Sequence, residues 1–163
     1  MRSDAVKVLF SFLLVISLTA CSNSNFQKQF ESDISIDDIV SVVEENAYTE
    51  FGYSEVSQYY LSSYFSDLEN LKNARIYTCN DSLNFNEFGI FEFISCVDAQ
   101  KALESINSYL MSAKKNFENG VIYNVEEYPK FQNAKARAFE NYVVYVILDS
   151  KSAENIFDSI EKL

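Results

Sequence analysis

The chain has 163 residues, of which 48% are hydrophobic and 15% aromatic, with 13 basic and 24 acidic side chains and a net charge of −11. This acidity excludes nucleic acid as a partner, because its phosphate backbone demands clusters of Lys and Arg. The absence of histidine and the presence of only three glycines exclude Ser-His and Cys-His nucleophile pairs, imidazole metal ligands and glycine-rich phosphate loops. We therefore predict no catalytic residues, no metal site and no cofactor.

The first 20 residues have the pattern of an export signal. Arg2 and Lys7 precede an apolar run over residues 8–20, which is shorter than the about 20 residues that a membrane-spanning helix needs. The run ends at Leu18-Thr19-Ala20-Cys21, which resembles the lipobox of bacterial lipoproteins. This resemblance implies cleavage before Cys21 and attachment of acyl chains to its thiol. The alternative is a short buried helix that ends in a cysteine.

The predicted location is the extracytoplasmic face of the cell membrane. Without residues 1–20 the chain keeps 11 basic and 23 acidic side chains, so it has no basic patch to hold anionic lipid. The acyl chains are then the membrane contact. Residues 21–33 are polar and predict a flexible tether, and residues 34–163 are enough for a single domain with one core.

Two helices are predicted at the start of the domain. Apolar residues recur at helical spacing over residues 36–47, and Ser35 and Asp38 are placed as a capping box. A second helix is predicted over residues 54–65, followed by a polar turn or short helix over residues 67–73.

A β-hairpin is predicted next. Its strands are the β-branched and aromatic segments 75–79 and 90–94, and an Asn- and Asp-rich connection between them ends in Gly89. With Asn80 opposite Gly89, Cys79 faces about position 90, and Cys96 lies beyond its reach. We therefore expect no disulfide between Cys79 and Cys96, although an exported protein permits one.

The clearest helix follows, with an apolar stripe over residues 99–117, Asp98 as its predicted cap and Asn119-Gly120 after its end. Residues 121–133 are predicted to be an irregular connection around Pro129. A second hairpin joins residues 135–139 to residues 142–149 through a turn at Glu140-Asn141. Ser152 is the predicted cap of a closing helix.

These elements predict an α+β fold with a mainly antiparallel, four-stranded sheet made of two β-hairpins. The predicted order is helix-helix-β-β-helix-β-β-helix, with the helices packed on one face of the sheet. Residues 142–148 are apolar at every position, which is typical of an inner strand covered on each side or of a strand beneath a long loop.

Five segments of the chain carry a resemblance to a known family, together with the order of the predicted elements. They are Glu87-Phe88-Gly89-Ile90-Phe91-Glu92, Lys114-Lys115-Asn116-Phe117, Tyr123-Asn124-Val125-Glu126, Asn133-Ala134 and Asn141-Tyr142-Val143. In these features the chain resembles a family of lipoproteins from Gram-positive bacteria that carries domain of unknown function number 4358. The resemblance covers residues 61–163 and implies an exported, lipid-anchored α+β module with no assigned catalytic residue. Two positions depart from the family's pattern, since Val125 stands where proline is usual and Glu140 where glycine is usual.

Three patterns in the sequence are candidate sites. Adjacent carboxylates at 37–38, 44–45 and 126–127 diverge on a helix and do not converge on one substrate atom. The alternation of Asn and Ser over residues 80–86 lacks the glycine and the acidic residue of a calcium-binding loop. Aromatic residues over 59–65 suit either a stacking platform for a sugar or peptide or, as we favour, the core.

We therefore expect a non-catalytic binding or adaptor module at the bacterial cell envelope, with an envelope protein, a cell-wall polymer or a small solute as its partner. One alternative is a hydrolase or transferase that acts on a cell-wall component through carboxylates and tyrosines. This alternative requires acidic residues from distant segments to meet in a pocket. The other alternative is an accessory subunit of a transport or sensing complex.

Overall fold

The computed structural model describes residues 34–120 and 124–163, which form an antiparallel sheet with helices on both faces. A 3-10 turn over Val125–Glu127 precedes the fourth helix. The helices are α1 (Ile36–Asn46), α2 (Gln58–Tyr64), α3 (Cys96–Glu118), α4 (Tyr128–Gln132) and α5 (Ser150–Ile160). The strands are β1 (Tyr53–Glu55), β2 (Leu71–Cys79), β3 (Glu87–Phe93), β4 (Lys135–Phe139) and β5 (Tyr142–Ile147).

The order of strands in the sheet is β1-β2-β3-β5-β4, and every neighbouring pair is antiparallel. Both predicted hairpins are present, and they join through the pairing of β3 with β5, which places these two strands at the centre. Every residue of β5 is buried. The α+β class and the antiparallel sheet are thus confirmed, and the apolar run after Asn141 is an inner strand.

The two faces of the sheet carry separate cores. On one face, Phe88, Ile90 and Val144 pack with the apolar sides of α1 and α5, and we call this the closed face. On the other, Phe91 and Tyr145 pack with residues of α2, α3 and α4, and we call this the cavity face. The prediction that helices pack on one face is therefore wrong. Burial of both sides of β5 is the physical reason that helices are required on each face.

The sheet has five strands, where four were predicted. The segment predicted as the second helix is divided into two elements. Its first part belongs to the strand Tyr53–Glu55, which pairs with the edge of β2. Helix α2 begins only after its cap, Ser57. The predicted turn or short helix also ends early, because β2 begins at Leu71. A three-residue strand is too short to show an alternating pattern in the sequence.

The register of the first hairpin differs from the prediction. Ile76, and not Asn80, lies opposite Gly89, because β3 begins at Glu87. Gly89 therefore lies inside a strand and is not part of the connection. The asparagine-rich sequence predicted a longer loop than the structure contains.

The two cysteines of the domain lie near opposite ends of the β2–β3 pair. The backbone N–H of Cys79 donates to the carbonyl of Asn86 at 3.0 Å, whereas Leu71 pairs with Phe93, three residues before Cys96. A strand advances about 3.3 Å per residue, whereas a disulfide needs Cα atoms within about 7 Å. The corrected register thus keeps the two thiols apart.

The helix boundaries follow the caps. Ser35 caps α1 as predicted, with the full capping box. The cap of α3 is Ser95, whose Oγ accepts from the N–H of Asp98 at 3.2 Å, so Asp98 lies inside the first turn. The cap of α5 is Asp149, whose carboxylate accepts from the N–H of Ser152 at 3.0 Å. The predictions of Asp98 and Ser152 as caps are therefore wrong. Each lies three residues after the observed cap and donates the capping hydrogen bond.

The remaining connections are more regular than predicted. Pro129 lies in the first turn of α4, where its fixed φ favours a helix and its missing N–H costs nothing. The second hairpin turns at Glu140 as predicted, and Glu140 has a φ of 49°. A positive φ is a conformation that glycine adopts most readily, which explains why glycine suits this position.

The predicted lipobox, with Cys21, and the predicted tether over residues 21–33 lie outside the described residues. Within residues 34–120 and 124–163, no helix is long and apolar enough to cross a membrane.

Candidate ligand-binding cavity at Glu87

A cavity of about 390 Å³ lies on the cavity face, beside α2, α3 and the β2–β3 loop. Its volume falls within the range of about 300–1,000 Å³ that is typical of small-molecule sites. Aromatic rings and short polar side chains share the wall. The lining includes Tyr60, Tyr64, Tyr109, Asp81, Glu87 and Ala113.

Glu87 brings a carboxylate to this cavity from the first position of β3. Tyr109 and Tyr145 donate hydrogen bonds to its Oε1 at 2.6 and 2.7 Å, and Tyr60 donates to its Oε2 at 3.3 Å. The hydroxyls of Tyr60 and Tyr109 are 2.9 Å apart. Because the tyrosines come from α2, α3 and β5, the network fixes three elements around one carboxylate.

Burial governs the protonation of this network. Desolvation raises the pKa of Glu87, and the hydrogen bonds from the tyrosines offset only part of that rise. Burial and the nearby charge of Glu87 also raise the pKa values of Tyr60, Tyr109 and Tyr145, so these hydroxyls stay protonated. Glu87 is only partly buried, because it lines the cavity.

Gly89 makes room for Tyr145. These two residues lie opposite each other in β3 and β5, and the ring of Tyr145 crosses the space that a side chain at position 89 would occupy. A Cβ atom there would overlap Cε1 and lie 2.8 Å from Cζ. The absent side chain lets the Tyr145 hydroxyl reach Glu87. A glycine inside a strand is the sequence signal of such a close approach.

Phe65 supports the tyrosines from the core. Its ring lies 4.8 Å from that of Tyr109 and 6.1 Å from that of Tyr145, measured between centroids. Tyr64 packs edge-on against Tyr109 at 5.6 Å and remains 56% exposed, while Tyr59 is 81% exposed. The aromatic group predicted as core is thus divided between the core, the cavity wall and the surface.

The rim of the cavity is held by its own hydrogen bonds. Asn84 accepts from the N–H of Asn86 at 3.0 Å and from Lys130 at 2.9 Å. Glu127 accepts from Lys130 at 2.6 Å and from the N–H of Phe85 at 2.8 Å. These bonds give Asn84 a structural role and tie the loop to the start of α4.

The charged side chains of the cavity lining are acidic. The lining contains the carboxylates of Asp81 and Glu87 and, among the described residues, neither Lys nor Arg. Glu87 forms no ion pair with any described residue. In residues 34–120 and 124–163 there is also no group of three His, Cys, Asp or Glu side chains that would hold a metal ion.

The adjacent carboxylate pairs do not assemble a site. Asp38 belongs to the capping box of α1, and Asp37 forms an ion pair with Arg75 on the surface. Glu127 belongs to the rim. Glu87 had no role assigned from the sequence, because its partners lie 22 to 58 positions away in the chain.

Comparison of the chain with models of protein families, with curated proteins and with solved structures gives no match.

Proposed function

We propose that this protein is a lipid-anchored, non-catalytic binding module at the outer face of the cell membrane, and that it takes a small ligand in the Glu87 cavity. The observation that carries the proposal is the cavity itself, in which a partly buried carboxylate and three tyrosines are held in place by the hydrogen bonds between them. A fixed site of this kind loses little conformational entropy on binding.

The hydroxyl and thiol groups of the lining favour binding over covalent catalysis. Ser112 donates to the carbonyl of Ser108 in its own helix at 2.9 Å, and the thiol of Cys79 lies 3.7 Å from the hydroxyl of Thr49. Among the described residues, neither is paired with a base, which an activated nucleophile requires. Asp81 accepts from the N–H of Leu83 at 3.0 Å and stabilises the loop.

A second candidate is an enzyme in which Glu87 is a general acid. The raised pKa of this residue favours it, because a carboxyl group that keeps its proton near neutral pH is suited to that role. Incubation with cell-wall fragments, followed by mass spectrometry, tests this candidate. Product formation that is lost in Glu87→Gln would replace the binding proposal.

Ligand-observed NMR with a mixture of small amines, acids, alcohols and sugars tests the binding proposal. We expect a subset to bind the wild type and to lose binding in Ala113→Phe, which fills the cavity from α3. Met111→Phe is the matched control, because Met111 is 66% exposed on the same helix and does not line the cavity. Equal binding to both variants, or no binding to any, would reject the cavity as the site.

The anchor is tested at Cys21. We expect Cys21→Ala to abolish lipid attachment and to release the protein from the membrane fraction, with intact mass and fractionation as the measurements. Unchanged mass and membrane retention would contradict the lipobox prediction.

A further inference from the structure

We infer that the ligand of the Glu87 cavity is a small primary ammonium ion, whose N–H groups donate to Oε2 of Glu87 while its carbon chain packs against the rings of Tyr60 and Tyr64. This inference rests on the proposed binding function and adds the chemical class of the ligand.

The first argument comes from the acceptor capacity of Glu87. An ionised carboxylate has about four lone-pair positions, two on each oxygen. Tyr109 and Tyr145 occupy both positions of Oε1, whereas Oε2 has one long contact of 3.3 Å with Tyr60. Oε2 thus retains capacity for a strong donor that comes from the cavity.

The second argument is that this partly buried, desolvated carboxylate has hydroxyl partners and no cationic partner among the described residues. Hydroxyl groups satisfy hydrogen bonds but do not balance the charge, and a buried charge is costly unless it is paired. A cationic ligand supplies the missing charge. An anion would meet Asp81 and Glu87 with no Lys or Arg in the described lining to offset them.

The third argument comes from the aromatic wall. The rings of Tyr60 and Tyr64 pack at 4.7 Å, and Tyr64 meets Tyr109 edge-on, so three rings with negative π-faces lie together beside the carboxylate. Rings of this kind attract organic cations and also cover their methylene groups. Aromatic rings next to a carboxylate therefore suit an alkylammonium better than a metal ion, which prefers several oxygen ligands.

Protonation sets a condition on this binding. Glu87 must be ionised to pair with the cation. The groups that contact it are Tyr60 from α2, Tyr109 from α3 and Tyr145 from β5, and Tyr64, Cys79 and Asp81 also line the cavity wall. A primary alkylamine, like a lysine side chain with a pKa of about 10.4, stays charged up to about pH 9. Affinity should therefore fall as the pH is lowered and Glu87 takes up its proton.

The experiment titrates n-pentylammonium, n-pentanol and n-pentanoate into the isotope-labelled domain and follows backbone and Glu87 carboxyl resonances by NMR. We expect n-pentylammonium to shift resonances of the cavity lining and to bind about tenfold or more tightly than n-pentanol. We expect Glu87→Gln to remove this preference. Glu92→Gln is the matched control, because it removes the same charge from the opposite side of the same strand.

Each outcome decides between the two proposals. Equal binding of n-pentanol and n-pentylammonium, unchanged in Glu87→Gln, would overturn the ammonium class and leave the binding function intact. Shifts that persist in Ala113→Phe would place the amine outside the cavity and overturn the inference. If Glu87→Gln does not fold, the wild type decides alone, because n-pentylammonium must shift the Glu87 carboxyl resonance and must bind more weakly at lower pH. A pH-independent affinity would overturn the inference.

Discussion

Both faces of the sheet bury aromatic residues, but one face is packed and the other contains a cavity. On the closed face, the rings of Tyr77 and Phe88 stack at 4.8 Å between the sheet and two helices, and its core is a continuous apolar layer. On the cavity face, the tyrosines lie around Glu87, and part of the space between sheet and helices remains open. The difference lies in one partly buried carboxylate, which lines the open space of the cavity face together with its partners Tyr60 and Tyr109.

The largest expected effect is on the closed face. Phe88→Ala removes a fully buried ring that also contacts Tyr53 edge-on at 5.1 Å, and we expect a loss of about 3–5 kcal/mol in the free energy of unfolding. Phe85→Ala, at a partly buried residue of the cavity lining, should cost only about 1 kcal/mol. Urea denaturation measures both. Equal losses would contradict the distinction between a packed and an open face.

The next effect concerns Gly89 and tests how the cavity face is built. Gly89→Ala places a methyl group in the ring of Tyr145 and should cost about 1–3 kcal/mol. In the background of Tyr145→Leu, which removes the ring, the same substitution should cost much less. Gly120→Ala serves as the control, since no atom of the described residues lies within 4 Å of its Cβ position and only its φ of 75° is strained. Additive losses in the double variant would contradict the close approach.

The pH dependence of stability should have opposite signs at Glu87 and at the capped starts of the helices. The pKa of Glu87 is raised, so the folded state binds more protons than the unfolded state above pH 4.5, and the free energy of unfolding falls as pH rises through that window. One proton gives at most about 1.4 kcal/mol per pH unit. Glu87→Gln should remove this slope, whereas Glu92→Gln should keep it. Chemical denaturation at several pH values measures it, and an unchanged slope in Glu87→Gln would refute the assignment.

The first turns of α1 and α5 behave in the opposite way. Hydrogen bonds with Ser35 lower the pKa of Asp38, and in Asp149 the bonds from the start of α5 outweigh the effect of burial and lower its pKa. Their contribution is present above the ordinary value of 3.8 and is lost as pH falls through the lowered pKa. We therefore expect α1 and α5 to lose hydrogen-exchange protection in acid before β3 does.

The smallest expected effect compares one helix from each face. Ser35→Ala and Ser95→Ala each remove an N-cap and should cost about 1 kcal/mol. Amide exchange should then increase in the first turn of α1 in one variant and of α3 in the other. A loss confined to the first turn distinguishes the cap from a general weakening of either core.

Much of the local structure could be predicted from the sequence. The capping box at Ser35, the long stripe of α3, the second hairpin and the buried run of β5 all depend on residues close together in the chain, where periodicity and caps act. The errors arose where a distant partner decides the outcome. Residues 53–55 form a strand because the edge of β2 is available to them, and the number of strands could not be read from three residues.

What the sequence by itself determined is the α+β class of the fold and the absence of histidine-based chemistry, because both depend on composition and local pattern. The lipid anchor at Cys21 stays a prediction. What only the tertiary structure decided is the site. Glu87 is one of 24 acidic residues until β3 places it beside β5 and beneath α2 and α3. A carboxylate gains a distinct chemistry from its desolvation and its partners, and neither is a property of its neighbours in the chain.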